Sequence, residues 1–276
     1  MKNLFIKSAA LTLAISTSLF ASGPRVTTNV FQPLDNEIVS LDIEPLYSNN
    51  TPSGGMIFEI VKTALDTEGE KVTLTTYPVK KMINYYITQE NTLAALGINW
   101  NLSKNSNKSI ISIPVALIRE NYIYYKPSHP NGIPYSENIS TLKGMTYGAH
   151  SGENVEKYNK SDIKVVRAES RFLFKKLISK KVDFIKEPVL SASFMINSSF
   201  ASNKDNLVLI DSKPQKSICS ILFNLKNKNG KEISKKFRKG LLHIIKNGKY
   251  QNIIEKYQGK TNYTSQYIEE LKSLLK

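Results

Sequence analysis

FRKGLLHIIKNGKYQNIIEKYQG, residues 237–259, reads as two helices joined at a glycine. Phe237, Leu241, Ile244 and Ile245 recur at the helical period and form one apolar stripe. Gly248 interrupts the pattern, as a residue just past a helix end often does. Tyr250, Ile253, Ile254 and Tyr257 then form a second stripe. Further on, Ile268, Leu271, Leu274 and Leu275 share one face, so the last part of the chain is expected to be purely helical.

Upstream of this stretch, strands and helices alternate. The strand-like EIVSLDIE (37–44) leads through Gly54-Gly55 to a helix carrying Ile57, Ile60, Val61, Ala64 and Leu65 on one buried face. KVTLTTY (71–77) reads as a strand, and Pro78 suits the first turn of a helix over VKKMINYYI. Then come a strand TLAALGI (92–98), a polar stretch, and two β-rich runs, SIISIPVALI and NYIYYK. MTYGAHSG leads to a short helix, followed by strand IKVVRA, helix RFLFKKLISK, strand VDFIKE, helix PVLSASFMI and strands NLVLI and KSICSILFN. Such alternation predicts parallel sheets covered by helices on both faces, with ligands held outside the carboxyl ends of the strands.

The chain has 276 residues, and its apolar fraction of 41% supports a sizeable core. Lys2 and Lys7, the apolar run Ala9 to Phe20, and small residues at Ala21 and Ser22 predict a secretory signal over residues 1–22. Cys219 is the only cysteine, set in an apolar run far from the signal, so core packing explains it and no lipid anchor is expected at the cleavage point. A soluble, exported, unanchored product points to the periplasm. The net charge of +15 falls to +13 without the two signal lysines. The excess is mostly lysine spread along the chain, which suits a solvated surface and argues against nucleic acid as a partner.

Enzyme signatures are absent from the sequence. His129, His150 and His243 show no metal-ligand spacing, and His150 beside Ser151 is adjacency with no nucleophile elbow around it. Gly259-Lys260-Thr261 resembles the end of a phosphate loop but lacks the upstream glycine and follows a helix. The expectation is a non-enzyme with no catalytic residue, no metal and no cofactor.

Six segments, in order, resemble one family: the periplasmic solute-binding proteins of the amino-acid-binding kind (type II, bacterial family 3). They are EPLYSNNTPSGGMIFEIVKTAL (44–65), YPVKKM (77–82), IPV (113–115), LKGMTYGAHSGEN (142–154), ISKKVDFIKEP (178–188) and the quoted 237–259. The last is the most specific, and together they span nearly all of the mature chain. The resemblance implies an α/β, two-lobed fold in which each lobe is a mostly parallel sheet flanked by helices, with two crossover strands. Lobe one would be 23–115 plus 217–276, and lobe two 116–216. A small polar solute would be captured by hinge closure. A monomer would then deliver it to an inner-membrane ABC permease, or present it to a sensor ectodomain. Relatives that are dehydratases on this scaffold keep an enzyme open as an alternative.

The resemblance also implies a site. The polar stretch NWNLSKNSNKSIISIPV (99–115) would form a lip of the cleft, but the family's carboxylate-clamping arginine falls on Asn105, with Lys104 adjacent. A lysine supplies charge without the planar two-point fork. Glu153 stands at the family's Thr or Ser position, where it also suits a helix dipole. Glu187 stands in place of the aspartate that holds an ammonium. Gly152 would leave backbone N–H groups open, Tyr47 and Tyr77 fall where relatives place aromatic walls, and Asn99 and Asn101 would bond an uncharged polar ligand. Losing an arginine and gaining a glutamate favours cations or neutral polar molecules over a standard α-amino acid.

Overall fold

The computed structural model describes residues 36–276 except 79–80, 83–91, 99–108 and 262. The expected signal, the helix after Pro78 beyond Lys81–Met82, and most of the polar lip therefore lie outside the described residues.

Nine described strands run β1 (Glu37–Ser40), β2 (Thr73–Thr76), β3 (Ala94–Ile98), β4 (Ile110–Tyr125), β5 (Thr146–His150), β6 (Lys164–Ala168), β7 (Phe184–Pro188), β8 (Leu207–Leu209) and β9 (Gln215–Asn224). Their order is β2-β1-β3-β9-β4-β7-β5-β6, with β8 pairing β4. At one end β1 is parallel to both β2 and β3. At the other end β5 is parallel to both β6 and β7. Between them β4 and β9 pair antiparallel from Ile110↔Asn224 to Glu120↔Gln215. These two strands therefore belong to both halves. The two β-rich runs read separately in the sequence are one strand here. A register shift between Pro114 and Ala116 accommodates the proline, which cannot donate to the ladder.

The helices are α1 (Met56–Asp66), α2 (Glu156–Asn159), α3 (Ser170–Ile178), α4 (Val189–Ser198), α5 (Gly230–Lys246), α6 (Lys249–Gln258) and α7 (Tyr263–Leu274). The stripes bury as their spacing requires: Ile57, Ile60, Val61, Ala64 and Leu65 of α1 pack in one cluster with Phe237, Leu241 and Ile244 of α5. Cys219 sits in that cluster as a buried free thiol. Leu271 and Leu275 join it, whereas Leu274 is exposed. The other half buries both faces of its sheet. Ile123, Leu173, Phe174 and Ile185 pack on one side. Tyr122, Tyr147, Tyr158 and Phe184 pack on the other.

Helices α1 and α5 touch through Gly240, where an added Cβ would stand 2.0 Å from the Ala64 carbonyl oxygen. Backbone cannot move aside cheaply. Gly240→Ala is therefore expected to lower stability by about 1–3 kcal/mol through overpacking, despite alanine's better helix propensity. Urea unfolding of the variant measures this, and an unchanged midpoint would show that the two helices separate freely.

Candidate functional site

The carboxyl ends of β5 and β7 place two titratable side chains together. The parallel register Gly148↔Ile185, carried two residues on, sets His150 beside Glu187 on the same face. The contact is made: His150 Nε2 lies 3.1 Å from Glu187 Oε1. Ser170, which opens α3 after β6, donates its hydroxyl to the same oxygen at 2.9 Å. Three strand ends thus converge on one carboxylate. Glu187 is fully buried, yet its second oxygen, Oε2, is a buried acceptor with no partner among the described residues. Ser191 Oγ, in the first turn of α4, is likewise buried without a partner among the described residues.

This arrangement sets the charge of His150. Burial pulls its pKa down, but the charge and hydrogen bond of Glu187, then Glu153 and Glu120, outweigh burial and raise it to about 9. At neutral pH the ring is an imidazolium that supplies Glu187 with its counter-charge.

Glu153 is turned inward. Its carboxylate accepts the Tyr147 hydroxyl at 2.8 and 3.0 Å and the His150 backbone N–H at 3.1 Å. Tyr147, stacked on Tyr158 at 3.9 Å, has its pKa raised well above the usual value by burial, then by Tyr158 and Glu153. Arg167 forks onto the carbonyl oxygens of His150 and Glu153 at 2.9 and 2.8 Å, pinning the loop between them. Gly152 turns that loop at φ +85°, a backbone state that glycine adopts without strain, and it is exposed.

Nearby, Lys186 Nζ lies 3.1 Å from Glu120 Oε2, an ion pair of two largely buried side chains. Ser217 donates to that same Glu120 oxygen.

The tyrosines expected as aromatic walls are placed in packing. Tyr47 is 1% exposed inside the cluster around α1, with its hydroxyl pKa pushed up by burial first, then by Cys219 and Glu120. Tyr77 is 8% exposed among Val39, Met82, Ala95 and Leu222. Its hydroxyl points to Glu37 Oε1 at 3.4 Å. Asn99, Asn101 and Lys104 lie outside the described residues. The structure therefore brings Glu187, Glu153 and Gly152 to one set of strand ends and adds His150, Ser170 and the Glu120–Lys186 pair. Sequence reasoning passed over these additions. No sequence signal marked His150, because its pairing with Glu187 depends on the register between β5 and β7.

A cavity of about 250 Å³ lies elsewhere, between β4, α4, α6 and α7, with Leu117, Arg119, Leu190, Tyr257 and Tyr267 in its wall. None of its lining residues belongs to the His150–Glu187 group.

No family model and no curated protein matches the chain. Solved structures do match. The GluR0 ligand-binding core from Nostoc punctiforme, in complex with L-glutamate, is similar at 17% identity and a TM-score of 0.64, covering 83% of this chain and 100% of that one. A histidine kinase sensor domain with similarity to periplasmic binding proteins gives 16% identity and a TM-score of 0.65, covering 81% and 95%. An ancestral arginine-binding protein bound to glutamine gives 17% identity and a TM-score of 0.64, covering 81% and 97%. The chain has the two-lobed, type II periplasmic-binding-protein fold, each lobe a mostly parallel sheet flanked by helices.

Proposed function

We propose that the protein is a periplasmic solute-binding protein that captures a small polar solute between its lobes by hinge closure and passes it to an inner-membrane ABC permease. The observation that carries this reading is Glu187 Oε2, a buried carboxylate oxygen at the end of a parallel strand with no partner among the described residues. Leaving such an acceptor unsatisfied costs free energy that a donor on a bound solute restores. The fold supports the same reading, because the ligand named for the Nostoc structure and for the ancestral protein is a small polar molecule in each case.

In this reading 23–115 plus 217–276 form lobe one and 116–216 form lobe two. Glu187 and Gly152 line the second lobe's side of the cleft, and Asn99, Asn101 and Lys104 the first lobe's lip. Glu153, Tyr47 and Tyr77 stiffen the walls from within. Export rests on the signal-like residues 1–22. No helix among the described residues is long and apolar enough to cross a membrane. A sensory role is the second reading, favoured by the kinase sensor domain among the similar structures. Recovery of a permease or of a kinase ectodomain with the solute-loaded protein separates the two.

The test is a thermal-shift screen against amino acids, polyamines, quaternary amines, organic acids and sugars. A solute at about 100 times its Kd adds about 2.7 kcal/mol of apparent stability. Glu187→Gln is expected to abolish that shift at the same concentration. Silence across the whole panel overturns the reading.

A further inference from the structure

We propose that the cavity bounded by β4, α4, α6 and α7 is a second binding site, and that it takes a compact apolar monocarboxylate. The inference goes beyond the solute-binding reading, since the cavity shares no lining residue with the group around Glu187.

The space follows from where α4 meets the C-terminal helices. Leu190 of α4 packs against the cluster around α1. Beside that contact a space of about 250 Å³ remains, bounded by Leu190 itself and by Leu46 and Leu117. Leu46 and Leu117 are buried, so the inner wall is apolar. Atoms that face a void have no contacts on that side, and an apolar body placed there restores them. An apolar cavity of about 150 Å³ already holds benzene. The space here therefore admits one ring or a short alkyl chain together with a carboxylate.

The charge of the wall selects the head group. Among the lining residues Arg119 is the only charged one. The Tyr257 hydroxyl, also at the wall, is donated to Glu59 at 2.8 Å, and the Gln258 amide to the Met56 sulfur at 3.5 Å. Acids on the adjoining helices have lysine partners: Glu59 has Lys256 at 2.8 Å, and Glu270 has Lys216 at 2.7 Å. The wall therefore carries one positive charge and no negative one. A guanidinium stays charged at every working pH. Its five N–H donors exceed what one neighbour uses, so a carboxylate can join whatever Arg119 already holds. An amine would be repelled, an amide would leave the charge unused, and a second carboxylate would find no second cation in the wall.

The probes are benzoate, phenylacetate and hexanoate, with benzamide, benzylamine and phthalate as controls, and binding to the mature protein is measured by calorimetry at pH 7. At least one of the three acids is expected to bind, and each control to bind at least tenfold more weakly than that acid. Arg119→Met is expected to weaken the acid at least tenfold. Ser193 is an exposed residue at the same wall, so Ser193→Phe fills the space without disturbing the core and is expected to abolish binding. That variant keeps the test valid if Arg119→Met folds poorly. Glu187→Gln is expected to leave the acid's affinity within twofold of the wild type. Silence of all three acids, equal binding of any control, or full affinity in either cavity variant overturns the inference. Loss of the acid in Glu187→Gln also overturns it, by placing the acid in the cleft. None of these results touches a solute shift that depends on Glu187, so the solute-binding reading stands or falls separately.

Discussion

Lys186→Met is expected to cost about 3–5 kcal/mol of stability, because it leaves a buried carboxylate without its counter-charge. The antiparallel register Tyr122↔Lys186 puts Lys186 one step along the same face from Glu120. Their side chains are 13% and 9% exposed, so water screens neither well. Ser217 donates to the same oxygen but brings no charge. Lys157 also feels Glu120, yet it is exposed, so water screens that attraction. It can replace only part of what is lost. The cost belongs to the unpaired charge and not to the missing contact, so the double variant Glu120→Gln/Lys186→Met is expected to recover most of it. Denaturant unfolding of the wild type, both single variants and the double variant closes this cycle. A single-variant loss below about 1 kcal/mol is what a solvent-exposed pair gives, and it would sink the buried-pair account.

The parts of the fold that repeat at short range were legible in the sequence. The α1 stripe of Ile57, Ile60, Val61, Ala64 and Leu65 is completely buried, because a fixed helical period leaves those residues no other face. The β–α alternation likewise set the parallel ends of the sheet. Of the two features that differ, one depended on a partner far along the chain and the other on a local turn. The two β-rich runs SIISIPVALI and NYIYYK look separate in the sequence, yet β4 runs through both, because β9 lies opposite it from Ile110 to Glu120 and a bulge accommodates the proline. The strand EIVSLDIE ends at Ser40, since from Leu41 on the chain turns into a loop closed by the Ile43–Tyr47 bridge.

The site divides in the same way. Glu187 could be named from its motif, but its partner could not. His150 had only Ser151 as a sequence neighbour, and only the register between β5 and β7 brings it to Glu187. Tyr47 and Tyr77 sit in segments without periodicity, so no pattern indicated that their rings turn into the core. Glu153 could be named from its motif as well, but the inward direction of its side chain depends on the Tyr147 hydroxyl.

His150 also makes the folded state pH-dependent, in a direction that follows from its environment. In the unfolded chain its pKa is near 6.5, and in the fold it is about 9, because Glu187, Glu153 and Glu120 outweigh the effect of burial. A raised pKa means that the folded state holds the proton more tightly than the unfolded state does. The stabilisation is therefore fully present below about pH 6.5 and is lost as the pH rises through about 9. A shift of this size corresponds to roughly 3 kcal/mol. Other groups titrate in the same window, so the quantity to measure is the difference in unfolding free energy between the wild type and His150→Gln from pH 6 to pH 10. That difference is expected to shrink by roughly 3 kcal/mol across the range, because glutamine has no proton to lose. A constant difference would mean that the ring is neutral in the fold. Glu187 would then lie buried without a counter-charge, and the pairing at the strand ends would be a hydrogen bond alone.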